Sequence, residues 1–143
     1  MTYYVLDTDH LSILQRRTEP AFNKLSARLS KHSPDLIFVT IISFQEQFQG
    51  WMAYINKAKT AEQLVTAYSK LESLIQLFSV SQILAFDSEA NQTAENLRSL
   101  GVRIGTMDLR IAGIALSQNA VLLTRNLSDF AKVPNLKIED WTI

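Results

Sequence analysis

Ala120-Val121-Leu122-Leu123-Thr124 is an apolar run without alternation, of strand length, entered from a helix. A strand with one wet face alternates apolar and polar residues, so a run that does not alternate is covered on both faces. The segment ahead of it, Thr106-Met107-Asp108-Leu109-Arg110-Ile111-Ala112-Gly113-Ile114-Ala115-Leu116, spaces its apolar residues for a helix. Gly105 supplies the break before it and Thr106 the expected N-cap. A helix leading into a strand covered on both faces is the repeating unit of a parallel sheet.

The same unit recurs outward from this pair. Thr2 to Leu6 and Leu36 to Thr40 read as buried strands, Gln82 to Phe86 as a weaker one, and Leu136 to Ile138 as an edge strand. A helix that Thr8 or Asp9 can cap is expected to bury Leu11, Ile13 and Leu14. A second, opened by Pro20 and ended by Pro34, buries Phe22, Leu25 and Leu29. The next begins near Ile42 and carries Phe44, Phe48, Trp51, Met52 and Ile55. Thr60 caps another, running to the region of Leu77, with Leu64, Tyr68, Leu71, Leu74 and Ile75 in its stripe. Asp87 or Ser88 caps one that stops near Gly101, and Arg125 to Phe130 reads as a turn. The expected fold is α/β, with a mainly parallel central sheet of about four to five strands and helices on both faces.

Composition sets outer limits. The chain has 143 residues, 47% hydrophobic and 20% charged, which suits one globular domain spanning residues 1–143. It has no cysteine, so disulfides, thiolate metal sites and thiol catalysis are excluded. A metal would have to be held by oxygen or by His10 and His32. Neither histidine has a partner at metal-ligand spacing, and both are expected on the surface or on a helix face. No basic leader precedes an apolar run, and no apolar stretch approaches about 18 residues, so the expectation is a cytoplasmic protein that does not meet a membrane. Fourteen basic and fourteen acidic residues give no net charge, so a nucleic-acid partner would have to be met by a local grouping of cations.

The acids carry the functional signal. Asp108 stands in the first turn of its helix, on the face of Ile111, Ala112 and Ala115, where a carboxylate is costly unless bonded, paired or bound to a metal. Its own helix N-terminus is one remedy. Ligands of parallel sheets bind at the carboxyl ends of the strands. There Asp7 ends the first strand, Glu46 lies one turn into the helix after the second, and Asp129 follows the Ala120 to Thr124 strand. Four acids then share one rim with no lysine or arginine in the same motifs, an arrangement a divalent cation would relieve. Each has a structural alternative: Asp7 and Asp9 as caps, Glu46 as a solvated helix face, Asp129 as a turn residue.

Val5-Leu6-Asp7-Thr8-Asp9, Glu46, Asp108-x-x-Ile111-Ala112, Leu123-Thr124-Arg125-Asn126-x-x-Asp129-Phe130 and Ile138-Glu139-Asp140-Trp141, in that order, resemble a PIN-domain ribonuclease. More narrowly they resemble the VapC toxins of bacterial toxin–antitoxin pairs. The resemblance implies a PIN-like domain that hydrolyses RNA, is neutralised by a cognate antitoxin, and forms a homodimer. It implies that Asp7, Glu46, Asp108 and Asp129 are the catalytic acids that hold Mg²⁺ or Mn²⁺. Thr8, Thr124, Arg125 and Asn126 form a second tier, contacting water or phosphate, with Asp9 as a fifth negative group and Arg110 either on phosphate or in a structural ion pair. Two positions depart from the pattern: Asn126 stands where some PIN domains carry an acid, and Asp9 where many carry asparagine. A rival resemblance starts from Asp7-Thr8-Asp9, a strand ending like the nucleophile motif of haloacid-dehalogenase-type phosphatases, with Asp7 as nucleophile and Asp9 as acid/base. That chemistry needs a lysine near paired acids, where this chain has Thr124-Arg125-Asn126. A third reading is a PIN-like interaction module without catalysis.

Overall fold

In the computed structural model, which describes residues 1–143, β1 (Tyr4–Leu6), β2 (Ile37–Thr40), β3 (Ile83–Leu84), β4 (Val121–Leu123) and β5 (Lys137–Glu139) form one sheet in the order β3-β2-β1-β4-β5. Every neighbouring pair is parallel. The connections carry α1 (Thr8–Arg16), α2 (Ala21–Leu29), α3 (Ile41–Lys57), α4 (Ala61–Ser79), α5 (Ser88–Ser99), α6 (Thr106–Ser117) and α7 (Leu127–Phe130).

Period-two strands divide the core between two faces. Val5 and Leu122 pack with Ile42 of α3, Ala90 and Leu97 of α5, and Leu109, Ile111, Ala112, Ile114 and Ala115 of α6. Leu6, Val121 and Leu123 turn the other way, toward Leu11 and Ile13 of α1, Leu25 of α2, Leu74 and Phe78 of α4, and Trp141. The expected α/β fold with helices on both faces is therefore what forms. α6 is buried almost all round because α5 lies close against it. At Gly113 an added Cβ would stand 2.6 Å from the Ala90 carbonyl oxygen and 3.2 Å from the Ala94 Cβ.

Strand order positions the site. The chain builds outward from β1 to β2 and β3, then returns past β1 to lay β4 on its other side. The order therefore reverses at β1, and the crevice beyond the carboxyl ends of β1 and β4 is where such sheets bind ligands. The Asp7 N–H donates to the Leu123 carbonyl at 2.9 Å and ties those two ends together.

Several local expectations are corrected. Of the caps open to α1, Asp7 is the one used, accepting the Thr8 N–H at 2.8 Å, while Thr8 and Asp9 lie inside the helix. Gly105 takes the N-cap place of α6, so Thr106 is its first residue. α2 stops at Leu29, and Pro34 opens a 3-10 turn over Pro34–Leu36. The expected turn after β4 contains α7. β3 keeps only two residues of its weak pattern. In α4 the buried residues are Ala67, Leu74 and Phe78, while Leu64, Tyr68 and Ile75 are exposed; in α3, Phe48 and Met52 are exposed as well. Leu71 and Leu77 pack partly buried beside the inward-facing Ala67, Leu74 and Phe78, so only the Leu64, Tyr68 and Ile75 part of the expected stripe faces outward.

Candidate active site

β1 delivers Asp7 into the crevice with only 6% of its surface exposed. Its Oδ1 accepts the Thr8 N–H, and its Oδ2 accepts the Thr124 hydroxyl at 2.8 Å. Burial, followed by the charge of Asp9, pushes this carboxyl up to about 7, against the bonds from Thr124 and Thr8 and with a further push from Asp108.

Thr8 next reaches α3. Its hydroxyl donates to Glu46 Oε1 at 3.0 Å and lies 2.9 Å from Ser43 Oγ. A hydroxyl has one proton, so Ser43 donates to Thr8 while Thr8 donates to Glu46. Ser43 is itself buried, and its N–H donates to Thr40 Oγ1 at 3.1 Å, the bond that caps α3. The β2–α3 junction thus supports Glu46 through a line of hydroxyls. Burial raises the half-buried Glu46, and Asp108 and Asp9 add to the rise, with the Thr8 bond opposing it.

Asp108 is half-buried in the first turn of α6, as its spacing suggested. Burial raises its carboxyl, and the charges of Asp129 and Asp9 raise it further. None of the protein's ion pairs involves Asp7, Glu46 or Asp108.

Asp129 is different, and it corrects the expectation of a rim without cations. Its Oδ2 accepts from Asn126 Nδ2 at 3.0 Å, and Lys132 Nζ lies 3.4 Å from its Oδ1. The Asn126 bond first, and then Lys132, hold this carboxyl below its ordinary range. Lys132 stands three residues beyond Asp129, a spacing that was available in the sequence.

Asp9, placed in the second tier by the resemblance, stands at the centre of the electrostatics. Its Oδ1 accepts from His10 Nδ1 at 2.7 Å and its Oδ2 from the Arg125 N–H at 2.9 Å, with the Thr124 hydroxyl 3.3 Å away. Burial works to raise Asp9, but the bonds from His10 and Arg125 outweigh it and the net shift is downward. An ionised Asp9 is what helps to raise Asp7, Glu46 and Asp108. Arg125 contributes its backbone, and the Asn126 N–H donates to Thr124 Oγ1 at 3.0 Å. Arg110 is in no ion pair; with Ile41, Phe48, Phe86 and Arg98 it lines a cavity of about 540 Å³ between α3, α5 and α6.

The structure corrects the placing of His10, which is fully buried, and shows His32 stacked on Trp141 with ring centroids 5.1 Å apart. Ser43, His10 and Lys132 are the residues that reading the sequence did not assign to the site. Ser43 is one helical turn before Glu46 on the same face, which was a usable signal. His10 had none, because its partner Trp141 is remote in the chain.

As they stand, no three His, Asp or Glu side chains are grouped closely enough to hold a metal ion. The donors nevertheless fit in kind: Asp7, Glu46 and Asp108 are carboxyls without counter-ions, and hard oxygen donors suit Mg²⁺ or Mn²⁺. These three are the residues that could hold such an ion, with Asp129 at the margin.

No protein-family model matches the chain. Its sequence is 29% identical over 140 residues to ribonuclease VapC1 of Haemophilus influenzae, covering 97% of this chain and 98% of that protein. It is also 29% identical over 139 residues to ribonuclease VapC2 of Rickettsia felis, covering 96% and 97%. Its structure superposes on a chain of VapBC-1 from nontypeable H. influenzae with a TM-score of 0.73 and 25% identity, covering 99% of this chain and all of that one.

Proposed function

We infer that this chain is a VapC-type endoribonuclease, a toxin that cleaves RNA phosphodiester bonds and is neutralised by a cognate antitoxin. The observation that carries the reading is the set of three carboxyls without counter-ions, Asp7, Glu46 and Asp108, each raised by burial and by the charge of Asp9 at the switch point of the sheet. Similarity to VapC ribonucleases across nearly the whole chain supports it.

Asp7, Glu46 and Asp108 would hold Mg²⁺ or Mn²⁺, which when bound activates water and neutralises charge on the phosphodiester. The protein's own residues do the arranging. Thr124 fixes Asp7, Thr8 fixes Glu46, and Asn126 orients Asp129 at the rim. The backbone N–H groups of Arg125 and Asn126, bonded to Asp9 and Thr124, border the same rim, where a phosphate would enter, while Arg110 lines the neighbouring cavity between α3, α5 and α6. The exposed apolar residues Phe48, Met52, Tyr54, Leu64, Tyr68 and Ile75 of α3 and α4 suit an antitoxin helix and a second copy of the chain. A basic antitoxin residue directed at the acids would complete the inhibition. No helix is long and apolar enough to cross a membrane, and we place the enzyme, as one domain, in the cytoplasm.

The phosphatase reading is the weaker one, because Lys132 pairs with the exposed Asp129 and not with Asp7 or Asp9. The deciding experiment incubates the purified chain with RNA and, separately, with a phosphate monoester, with Mg²⁺, with Mn²⁺ and with chelator. RNA cleavage that requires the ion, with the monoester left intact, is expected. Monoester hydrolysis without RNA cleavage would transfer the site to the phosphatase class, and no reaction on either substrate would favour the interaction module.

A further inference from the structure

His10 takes no part in the chemistry above, yet it is fully buried with both ring nitrogens engaged. Its Nε2 lies 3.1 Å from the Trp141 backbone nitrogen, which can only donate. Nε2 is therefore bare, and the ring proton sits on Nδ1, 2.7 Å from Asp9 Oδ1. Asp140 Oδ1 does not alter this assignment. It is 3.6 Å from Nε2, beyond hydrogen-bond reach, and already accepts from the N–H and the hydroxyl of Thr142 at 2.8 and 2.6 Å.

The amide that reads the ring is a fixed point. Trp141 is 1% exposed, stacks on His32, meets Tyr4 with ring centroids 4.8 Å apart, and has the Arg28 guanidinium 4.9 Å from its ring centroid. Its indole N–H donates to Glu139 Oε1 at 3.0 Å. The side chain of Asp9 is 31% exposed and so depends on its bonds for its orientation.

We propose that His10 is a positioning residue for the acid cluster: the Trp141 amide fixes the tautomer of the ring, and the ring's Nδ1–H fixes Asp9 beside Asp7. The last residues of the chain thereby set the place of a carboxylate on the active rim. The Arg125 N–H holds the other oxygen of Asp9, so loss of the His10 bond would leave that side chain one anchor. Partners of this kind orient the groups that do the chemistry, and removing them typically lowers activity or metal affinity by about 10- to 100-fold. The inference rests on the ribonuclease reading.

Two substitutions separate the ring's two bonds. His10→Asn keeps a donor where Nδ1 stood and loses the acceptor for Trp141; His10→Gln keeps that acceptor and loses the donor to Asp9. If His10 positions Asp9, H10N rescues most of the RNA cleavage and Mn²⁺ affinity, and H10Q lowers both by about 10- to 100-fold, at similar melting temperatures. Nitrogen-15 spectra of the wild-type imidazole read the tautomer without any variant, and should show a protonated Nδ1 and a bare Nε2. A proton on Nε2, or activities that follow melting temperature and not the Asp9 bond, overturns the proposal. A wild-type chain that cuts no RNA overturns the ribonuclease reading instead, and the tautomer spectrum and Mn²⁺ affinities still decide the positioning role.

Discussion

The Thr124 hydroxyl lies 2.8 Å from Asp7 Oδ2, a bond that joins the residues following β4 and β1 across the reversal of strand order. It stabilises the ionised form of Asp7 against burial and the charge of Asp9. Thr124→Val preserves the shape but removes the bond, and it also removes the acceptor of the Asn126 N–H. The expected result is a loss of about 1–3 kcal/mol in stability, together with weaker Mn²⁺ binding at neutral pH that recovers as pH is raised. Calorimetry of Mn²⁺ binding across pH checks this, and a variant with wild-type affinity at every pH would make the bond incidental.

Asp7→Asn, Glu46→Gln and Asp108→Asn should each abolish ion-dependent RNA cleavage while the fold persists, because each removes a carboxyl without a counter-ion from the rim. Asp129→Asn should be milder, since that side chain is 39% exposed and already has Asn126 and Lys132 as partners. Single-turnover cleavage and circular dichroism on the four variants give the comparison. Equal losses in all four would restore Asp129 to the same standing as the other three.

Much of this site was legible in the sequence because its acids sit at element ends. Asp7 after an apolar run, Glu46 one turn into a helix and Asp108 on the face of Ile111 and Ala112 are positions that periodicity can place. Strand existence was equally legible, since Val5, Leu6, Leu122 and Leu123 leave no polar face. What was hidden depends on pairings remote in the chain. His10 is buried by Trp141, and whether Ala67 or the Leu64 and Tyr68 stripe faces inward is decided by what α4 packs on. The cap of α1 stayed open in the sequence because Asp7, Thr8 and Asp9 can all cap a helix, and only the end of β1 selects Asp7 among them.

Arg110 follows Asp108 by two residues and lines the cavity between α3, α5 and α6 without an ion-pair partner. Arg110→Ala should raise KM for RNA and leave kcat close to wild type, with the salt dependence of binding reduced by about one phosphate contact. Binding titrations at several salt concentrations read the slope directly. A fall in kcat with KM unchanged would place Arg110 in the chemical step.

Gly113 tests the packing that carries Asp108. Alanine would favour the helix by about 1 kcal/mol, but its Cβ would stand 2.6 Å from the Ala90 backbone carbonyl oxygen, which cannot move without shifting α5. The clash should win, lowering stability by about 1–3 kcal/mol and reducing cleavage through the displaced start of α6. Thermal melts decide the sign, and a more stable G113A protein would mean that the two helices separate easily.

The pH dependence of stability follows from Asp7, whose carboxyl rises from 3.8 to about 7 on folding. Between those values the native chain holds a proton that the unfolded chain has released, so the slope of unfolding free energy against pH is negative. The contribution of protonated Asp7 is fully present below 3.8 and is lost as pH rises through about 7. Asp9, whose carboxyl is lowered, acts in the opposite sense: its contribution is present above 3.8 and is lost as pH falls below that value. The ion-free protein should therefore be most stable in mild acid and lose stability toward neutrality, with Glu46 and Asp108 adding to the same slope because both are raised. Asp7→Asn should flatten that slope. Mn²⁺ binds ionised carboxyls and should restore stability, increasingly as pH approaches neutrality. Asp108→Asn should raise the ion-free melting temperature by removing one repelling charge while weakening the response to Mn²⁺. Melting curves with and without Mn²⁺ at a series of pH values test these signs together. An ion-free wild-type protein whose stability is flat from mild acid to neutrality would mean that Asp7 ionises normally in the native state, and the electrostatic argument for its role would fail.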